Sequence, residues 1–336
     1  MSLRKLEATP LRRQALSARP PAARETTEST RMVSVVLLVS AVWIGAIYGF
    51  VYVDLISLPT FEKRVELVDA VLLGEGKADW VYAMYVVAGA TRWLVSLVGH
   101  PRAVMAVVDF AGLVLVFGSA AFFLRAFFAR PRSWFAGLFW LAATSPLLFR
   151  DHFYHPSDFY GVSLMFVVLV AAKRHRYLLL ALLCLVSGML WEKTLFVPVF
   201  FLAWEATSFG WKRGLARAAP ALAAAGATFL FWRLAFPDAH RVEILTWAQM
   251  IDRLPADLTK WLLWTGPALL AWATSSARGR PIDRFWRLWL LYLPLLAGAV
   301  LFLTHFWGEL RTFWILQPIF VGVIADWVEK SPPNGL

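Results

Sequence analysis

Asp54 stands at the end of the first long apolar segment, residues 33–53. If that segment is a helix, the carboxylate lies at the negative end of the helix dipole, which favours its protonated form. A carboxylate in this position is suited to accept a proton as a general base. The alternative is a polar residue that only ends the segment at the membrane interface.

A second group of polar residues, His305, Glu309 and Arg311, precedes the last apolar segment. Glu309 and Arg311 could pair with each other as a structural ion pair. Arg311 could instead bind an anion, because its guanidinium group presents several N–H donors in a fixed plane. The residue types here therefore indicate either a salt bridge or an anion site.

The run from Arg150 to Asp158 concentrates charged and imidazole side chains before another apolar segment. His152 and His155 are three residues apart, and acids flank them at Asp151 and Asp158. If the first turn is helical, His155 and Asp158 share a face and could hold a divalent cation or a phosphate group. Arg150 is a further candidate anion ligand. Simple capping of a helix N-terminus explains the same pattern.

Glu192 and Lys193 form the turn between two short apolar segments, 177–190 and 194–208. A helix of that length spans about 22 Å, against a hydrocarbon core of about 30 Å. The turn would therefore lie below the membrane surface, where charged side chains are functional or are paired inside a cavity. The segment that begins at Asp158 is equally short. The sequence thus predicts a recessed polar cavity.

The composition places these residues in a membrane protein. Of 336 residues, 60% are hydrophobic and 16% are charged, and the mean hydropathy is +0.61. Soluble proteins are about 45–50% apolar and about 25% charged, so a soluble enzyme, a disordered protein and a disulfide-rich secreted domain are excluded. Basic residues kept on the cytoplasmic side of helices explain the net charge of +11 without nucleic-acid binding. A single cysteine, Cys184, allows no internal disulfide.

The apolar segments predict an all-α fold, a polytopic membrane bundle of about ten transmembrane helices. They lie at 33–53, 104–124, 134–149, 158–172, 177–190, 194–208, 217–236, 259–275, 287–304 and 312–328. One further segment, 80–99, carries Arg92 among Trp and Tyr residues, which is typical of a helix at the membrane interface. We expect interfacial helices there, in a large first outer loop.

The distribution of basic residues indicates whether 80–99 crosses the membrane. If it does not, 21 of the 33 Lys and Arg residues fall on the inner side, and every short inner connection is basic. If it crossed, the same clusters would face outward, against the positive-inside rule. We therefore expect a multi-pass inner-membrane protein with both termini in the cytoplasm. The expected parts are a disordered basic tail at 1–31, one transmembrane domain at 32–329 and a cytoplasmic tail at 330–336.

This topology gathers the candidate residues on the outer side. Asp109 and Arg233 lie toward the outer ends of their segments and are expected to line the same cavity. Glu205 lies near an inner end and is expected to be a paired structural group. The Glu192–Lys193 turn is expected to lie near residues 155–158 or 309–311.

On these residues the chain resembles the GT-C type of glycosyltransferase, integral membrane enzymes that use polyprenyl-phosphate-linked sugars. The resemblance lies in the large first outer loop and in short motifs spread over most of residues 33–328. These are Asp54, His-Pro-Ser-Asp at 155–158, Trp-Glu-Lys-Thr at 191–194 and Glu-Leu-Arg at 309–311. The chain departs from better-known members because it lacks an acidic pair with one-residue spacing in that loop and a soluble C-terminal domain.

The resemblance implies transfer of a sugar from a polyprenyl-phosphate donor to an acceptor on the outer side of the membrane. It implies that Asp54 is the general base. The implied ligands of the donor phosphate are Arg92, Lys193 and Arg311, with Arg150 and His155 as further candidates. The other residues expected to line the cavity are Asp158, Glu192, Glu309 and His305. No metal-ligand set and no cofactor is assigned, although a divalent cation is compatible with the site.

A flippase for lipid-linked sugars, or a transporter, is the main alternative because it would need the same phosphate ligands. Secondary transporters typically have internal repeats and polar residues near the membrane midplane. Here no repeat is visible, and the polar residues crowd one end. A structural or assembly protein is a third possibility, but it would not explain recessed charges. The expected partners are the donor lipid and the bilayer.

Overall fold

The computed structural model describes residues 85–152, 157–190, 194, 196–235, 247–290, 294 and 314–332. These residues form α-helices joined by short turns and contain no strand, which confirms the predicted all-α class for the part of the chain described. All of them belong to one compact unit, Ser40–Leu336. The first apolar segment, the loop before residue 85 and the predicted tail at 1–31 lie outside the described residues.

The described helices follow the apolar segments of the sequence. They are α1 (Tyr85–Val98), α2 (Pro101–Phe127), α3 (Pro131–His152), α4 (Ser157–Lys173), α5 (Tyr177–Leu190), α6 (Val197–Phe209), α7 (Trp211–Ala235), α8 (Trp247–Ala277) and α9 (Gln317–Lys330). A further helical stretch covers 284–290. Proline lies in the first turn of α2, α6 and α9. Backbone N–H groups in a first turn have no partner within the helix, so the missing N–H of proline costs no hydrogen bond there.

Two described stretches are long and apolar enough to cross a membrane, Ala103–Phe127 of α2 and Trp211–Trp232 of α7. The most apolar window of the second is only 28% buried, and Leu230 and Leu234 are 56% and 73% exposed. An apolar helix with most of its surface uncovered is typical of contact with lipid, not with water. The count of about ten spans stays a prediction, because several of the segments fall outside the described residues.

Gly210 alone joins α6 and α7. Its φ of 83° is left-handed, a conformation that glycine adopts without strain. One turn into α7, a Cβ on Gly214 would come within 2.6 Å of the Ala206 backbone nitrogen of α6. The two helices therefore form a hairpin packed backbone against backbone.

The short connections meet at one end of the helices, which we call the basic end. It comprises residues 125–133, 173–177, 205–217, 275–287 and 326–332. Lys173 at the end of α4 bonds to Asp283 after α8, at 3.1 Å. Arg284 donates to the Thr207 carbonyl of α6 at 2.9 Å, and Arg130 donates to the Glu329 carbonyl of α9 at 2.6 Å. The fold thus brings together the basic connections that the positive-inside rule assigns to one side.

We expect single cysteines at Arg130, Arg174 and Arg280 to be cytoplasmic, because all three positions lie at the basic end. In a Cys184→Ala background, an impermeant maleimide should label them only after the membrane is permeabilised. The control is a cysteine at His240, which follows the apolar segment 217–236 and is therefore expected on the opposite side; it should react in intact cells. Labelling of any of the three in intact cells would contradict this topology.

Candidate functional site

Most of the predicted site residues lie outside the described part of the chain. These are Asp54, His155, Glu192, Lys193, His305, Glu309 and Arg311. Arg150 falls in α3, but its side chain is also outside the description. Arg92 and Asp158 are described with their side chains, together with Asp109.

Asp158 lies in the first turn of α4, and only 3% of it is exposed. Its neighbour Phe159 packs edge-on against Trp314, with ring centroids 5.5 Å apart. Phe159 also fills the space beside Gly112 of α2, where an added Cβ would come within 2.8 Å of the Phe159 Cβ. The carboxylate is therefore buried at the start of α4, beside a close contact with α2.

Asp109 of α2 is a second buried carboxylate at this contact, with 5% exposed. It lies about one turn before Gly112. The adjacent Val108 carbonyl accepts a 2.8 Å hydrogen bond from the Tyr160 hydroxyl of α4. Two carboxylates, one from α2 and one from α4, and the Tyr160 hydroxyl thus lie around the contact between α2 and α4. We call Asp109, Asp158 and Tyr160 the α2–α4 site.

The α2–α4 site lies well inside the N-terminal end of α2. α2 begins at Pro101 and meets Phe159 of α4 at Gly112. Because a helix rises about 1.5 Å per residue, this contact lies roughly 16 Å from the start of α2. The recessed cavity expected from the short apolar segment after Asp158 stays a prediction.

The described residues that flank the Glu192–Lys193 turn lie close to this site. Leu190, the last residue of α5, packs with Tyr160 against buried valines of α1 and α2. Thr194, after the turn, is buried. The expected position of the turn itself, near residues 155–158 or 309–311, stays a prediction.

Arg92 is on α1 and is exposed. The contact face of α1 is formed by other residues: Val87 packs against Val104 and Val108 of α2, and Thr91 is buried. Arg92 itself is exposed, and its part in phosphate binding stays a prediction.

At the basic end, Lys173 lies in a cage of aromatic rings and pairs with Asp283. Its Nζ is 4.9–5.5 Å from three ring centroids, those of Phe127, Phe285 and Trp286. Burial on its own would raise the pKa of the Asp283 carboxyl. Lys173, the Phe285 backbone N–H and Lys330 outweigh that effect and hold the pKa below its usual range.

Glu205 is fully buried at the basic end and contacts two side chains, His175 and Arg217. Its Oε1 is 2.6 Å from Nδ1 of His175, and its Oε2 accepts a 3.1 Å hydrogen bond from Arg217. Arg217 also lies 4.0 Å above the Phe209 ring. The expectation that Glu205 is a paired structural group is confirmed. It connects the α4–α5 turn to the α6–α7 hairpin.

Sequence reasoning does not single out Lys173 or the Tyr160 hydroxyl. In the sequence Lys173 is one of several basic residues at the end of an apolar segment. The aromatic residues around it come from distant parts of the chain, so the sequence does not indicate their contact. Tyr160 could be recognised in the sequence as a polar hydroxyl two residues after Asp158 in an otherwise apolar segment.

No group of three or more His, Cys, Asp or Glu residues in the described part of the chain could hold a metal ion. The metal site considered at 151–158 includes His155, which lies outside that part. A divalent cation there stays a prediction.

Comparison with known proteins gives no match: no family model, no curated protein and no solved structure is detectably similar to the chain.

We expect Glu205→Gln to destabilise the fold by roughly 3 kcal/mol, because it removes the charged partner of Arg217 and His175 in a buried site. Thermal unfolding in detergent measures the effect. Asp252→Asn on α8, whose side chain is exposed, is the matched control and should unfold like the wild type. An unchanged midpoint for Glu205→Gln would show that the Glu205 contacts do not stabilise the fold.

Asp283 should contribute to the pH dependence of stability. Because its folded pKa lies below the usual value of about 3.9, the contribution is complete above that pH and is lost as pH falls through the folded pKa. Unfolding midpoints measured from pH 7 to pH 3 should therefore fall less steeply in Asp283→Asn than in the wild type. The variant should also be less stable at pH 7. Parallel curves would contradict the assignment.

Proposed function

We propose that this protein is a multi-pass membrane glycosyltransferase of the GT-C type, with its active site at the end of the bundle opposite the basic end. The observation that carries the proposal is the burial of two carboxylates, Asp109 and Asp158, around one helix contact. A charge at hydrocarbon depth is costly, and such residues in membrane helices usually serve a function. A carboxylate can also accept the proton that an acceptor hydroxyl must lose in such a reaction.

Exposed apolar residues beside Asp109 support a lipid-borne substrate. Val107, Phe110 and Val114 of α2 are 64%, 41% and 43% exposed. A prenyl chain could lie on this face of α2 while its phosphate approaches the α2–α4 site from the side. A substrate that arrives from water would gain nothing from such a surface.

The chain can also supply cations to this site. Lys193 is three residues from Leu190, and Arg311 is three residues from Trp314; both Leu190 and Trp314 pack beside α4. Lys193 and Arg311 themselves lie outside the described residues. In this proposal they bind the donor phosphate and stabilise it as it leaves, and Asp54 is the general base.

The proposed topology has about ten spans and a cytoplasmic basic end. Arg92 in the middle of α1 and the exposed Trp93 beside it support an interfacial position for this helix. With α1 outside the membrane core, the α2–α4 site faces the outer side of an inner membrane, where a lipid-linked sugar would be used.

Native mass spectrometry of the purified protein should detect a bound polyprenyl phosphate. Polyprenyl-phosphate sugars with the prenyl chain identified in this way then serve as donors in a transfer assay. Asp54→Asn should retain donor binding but transfer sugar at least about 100-fold more slowly, the usual contribution of a general base. Near wild-type transfer would move the base to Glu62, Glu66, Asp69 or the α2–α4 site.

Donor binding should respond to a different substitution. Arg311→Ala should weaken donor affinity, and Arg311→Lys should restore only part of it, because lysine lacks the planar fork of donors. Asp252→Asn again serves as the control. If Asp54→Asn and Arg311→Ala change lipid translocation but no transfer reaction, the protein is a flippase and the transferase proposal is wrong.

A further inference from the structure

Some cations of the basic end have no partner within the described contacts. Several others bond to carbonyl or carboxylate groups, but one set is exposed, and the structure gives its side chains no hydrogen bond or ion pair. These residues are Arg125, Arg176, Lys212, Arg213, Arg278 and Arg287. Exposed cations with no internal partner are available to an external anion.

Three of these cations belong to one part of the surface, because the α4–α5 turn packs against the start of α7. His175 contacts Glu205, and Arg217 lies 5.6 Å above the Tyr177 ring. Arg176 stands between His175 and Tyr177 in sequence. Arg213 lies one turn before Arg217 on α7, with Lys212 beside it.

The three cations are not neutralised locally. Glu205 and Asp283 are the carboxylates described near these connections, and both already have partners: Glu205 bonds to His175 and Arg217, and Asp283 bonds to Lys173. Next to the cations lies exposed apolar surface: Leu178 is 81% exposed and Trp211 is 63% exposed. Tryptophan beside lysine and arginine is the pattern found where a helix meets lipid headgroups.

We infer that Arg176, Lys212 and Arg213, together with Trp211, form a binding site for the headgroup of an anionic phospholipid. The cations bind the phosphate and compensate its charge, while Trp211 and Leu178 contact the start of the acyl chains. Charge complementarity alone would also suit a nucleic acid, but that partner would leave Leu178 and Trp211 exposed to water. The inference does not depend on the proposed glycosyltransferase activity, since it concerns the opposite end of the bundle.

The test uses full-length protein in detergent, with short-chain phosphatidylglycerol and phosphatidylcholine as probes and native mass spectrometry as readout. The wild type should bind phosphatidylglycerol more tightly, and this preference should weaken with salt. The variant Arg176→Gln/Lys212→Gln/Arg213→Gln should bind phosphatidylglycerol at least tenfold more weakly, because each cation near a lipid surface contributes about 1 kcal/mol. Equal affinity of the wild type for the two lipids would overturn the inference.

A matched control removes the same charge elsewhere on the basic end. Arg125→Gln/Arg278→Gln/Arg287→Gln should change phosphatidylglycerol affinity by less than threefold. An equal loss in both variants would mean that net charge, and not this site, binds the lipid. Thermal unfolding of each variant identifies any loss of fold.

Trp211→Ala separates a lipid site from a plain anion site while leaving every charge in place. It should weaken phosphatidylglycerol binding several-fold. Inorganic phosphate should not displace the lipid from the wild type at equal concentration. Displacement by phosphate, competition by a short RNA or an unaffected Trp211→Ala variant would each overturn the inference.

Discussion

The carbonyl groups at helix C-termini determine how the basic end is built. α2, α4, α6, α8 and α9 all end there, and the last carbonyls of a helix have no partner within it. Arginines from other connections supply the missing donors: Arg130 and Arg132 bond to carbonyls at the end of α9, and Arg284 bonds to one of α6. Because each donor comes from another helix or connection, each bond also fixes the position of one helix against the next.

The opposite end has the complementary polarity. α2, α4, α6 and α8 begin there, so the positive ends of their dipoles point toward the side that carries Asp109 and Asp158. A carboxylate in the first turn of α4 is favoured by this field, and so is any anion bound nearby. The effect is local to the first turn of α4, because α3, α5 and α7 run in the opposite direction and their dipoles oppose those of α2, α4, α6 and α8.

The sequence locates most helices because apolar length is enough to find them. The segments predicted at 104–124, 158–172 and 177–190 lie within α2, α4 and α5. α8 begins at Trp247, well before the predicted 259, because its first turns contain Asp252 and Arg253 and fall below the hydropathy expected of a span.

The contacts between helices are harder to predict. α4 and α6 are apolar on every side, so their sequences do not indicate which face turns inward. The burial of Asp158 can be predicted because the apolar segment that it begins is short. The pairing of Glu205 can be predicted because this residue lies near the inner end of an apolar segment. The aromatic cage of Lys173 is not, because its rings come from two connections far apart in the chain.

The single-residue link at Gly210 makes α6 and α7 one mechanical unit. One residue leaves no spare length of chain between them, and the two backbones already lie against each other at Ala206 and Gly214. Neither helix can therefore slide along its axis or rotate without moving its neighbour.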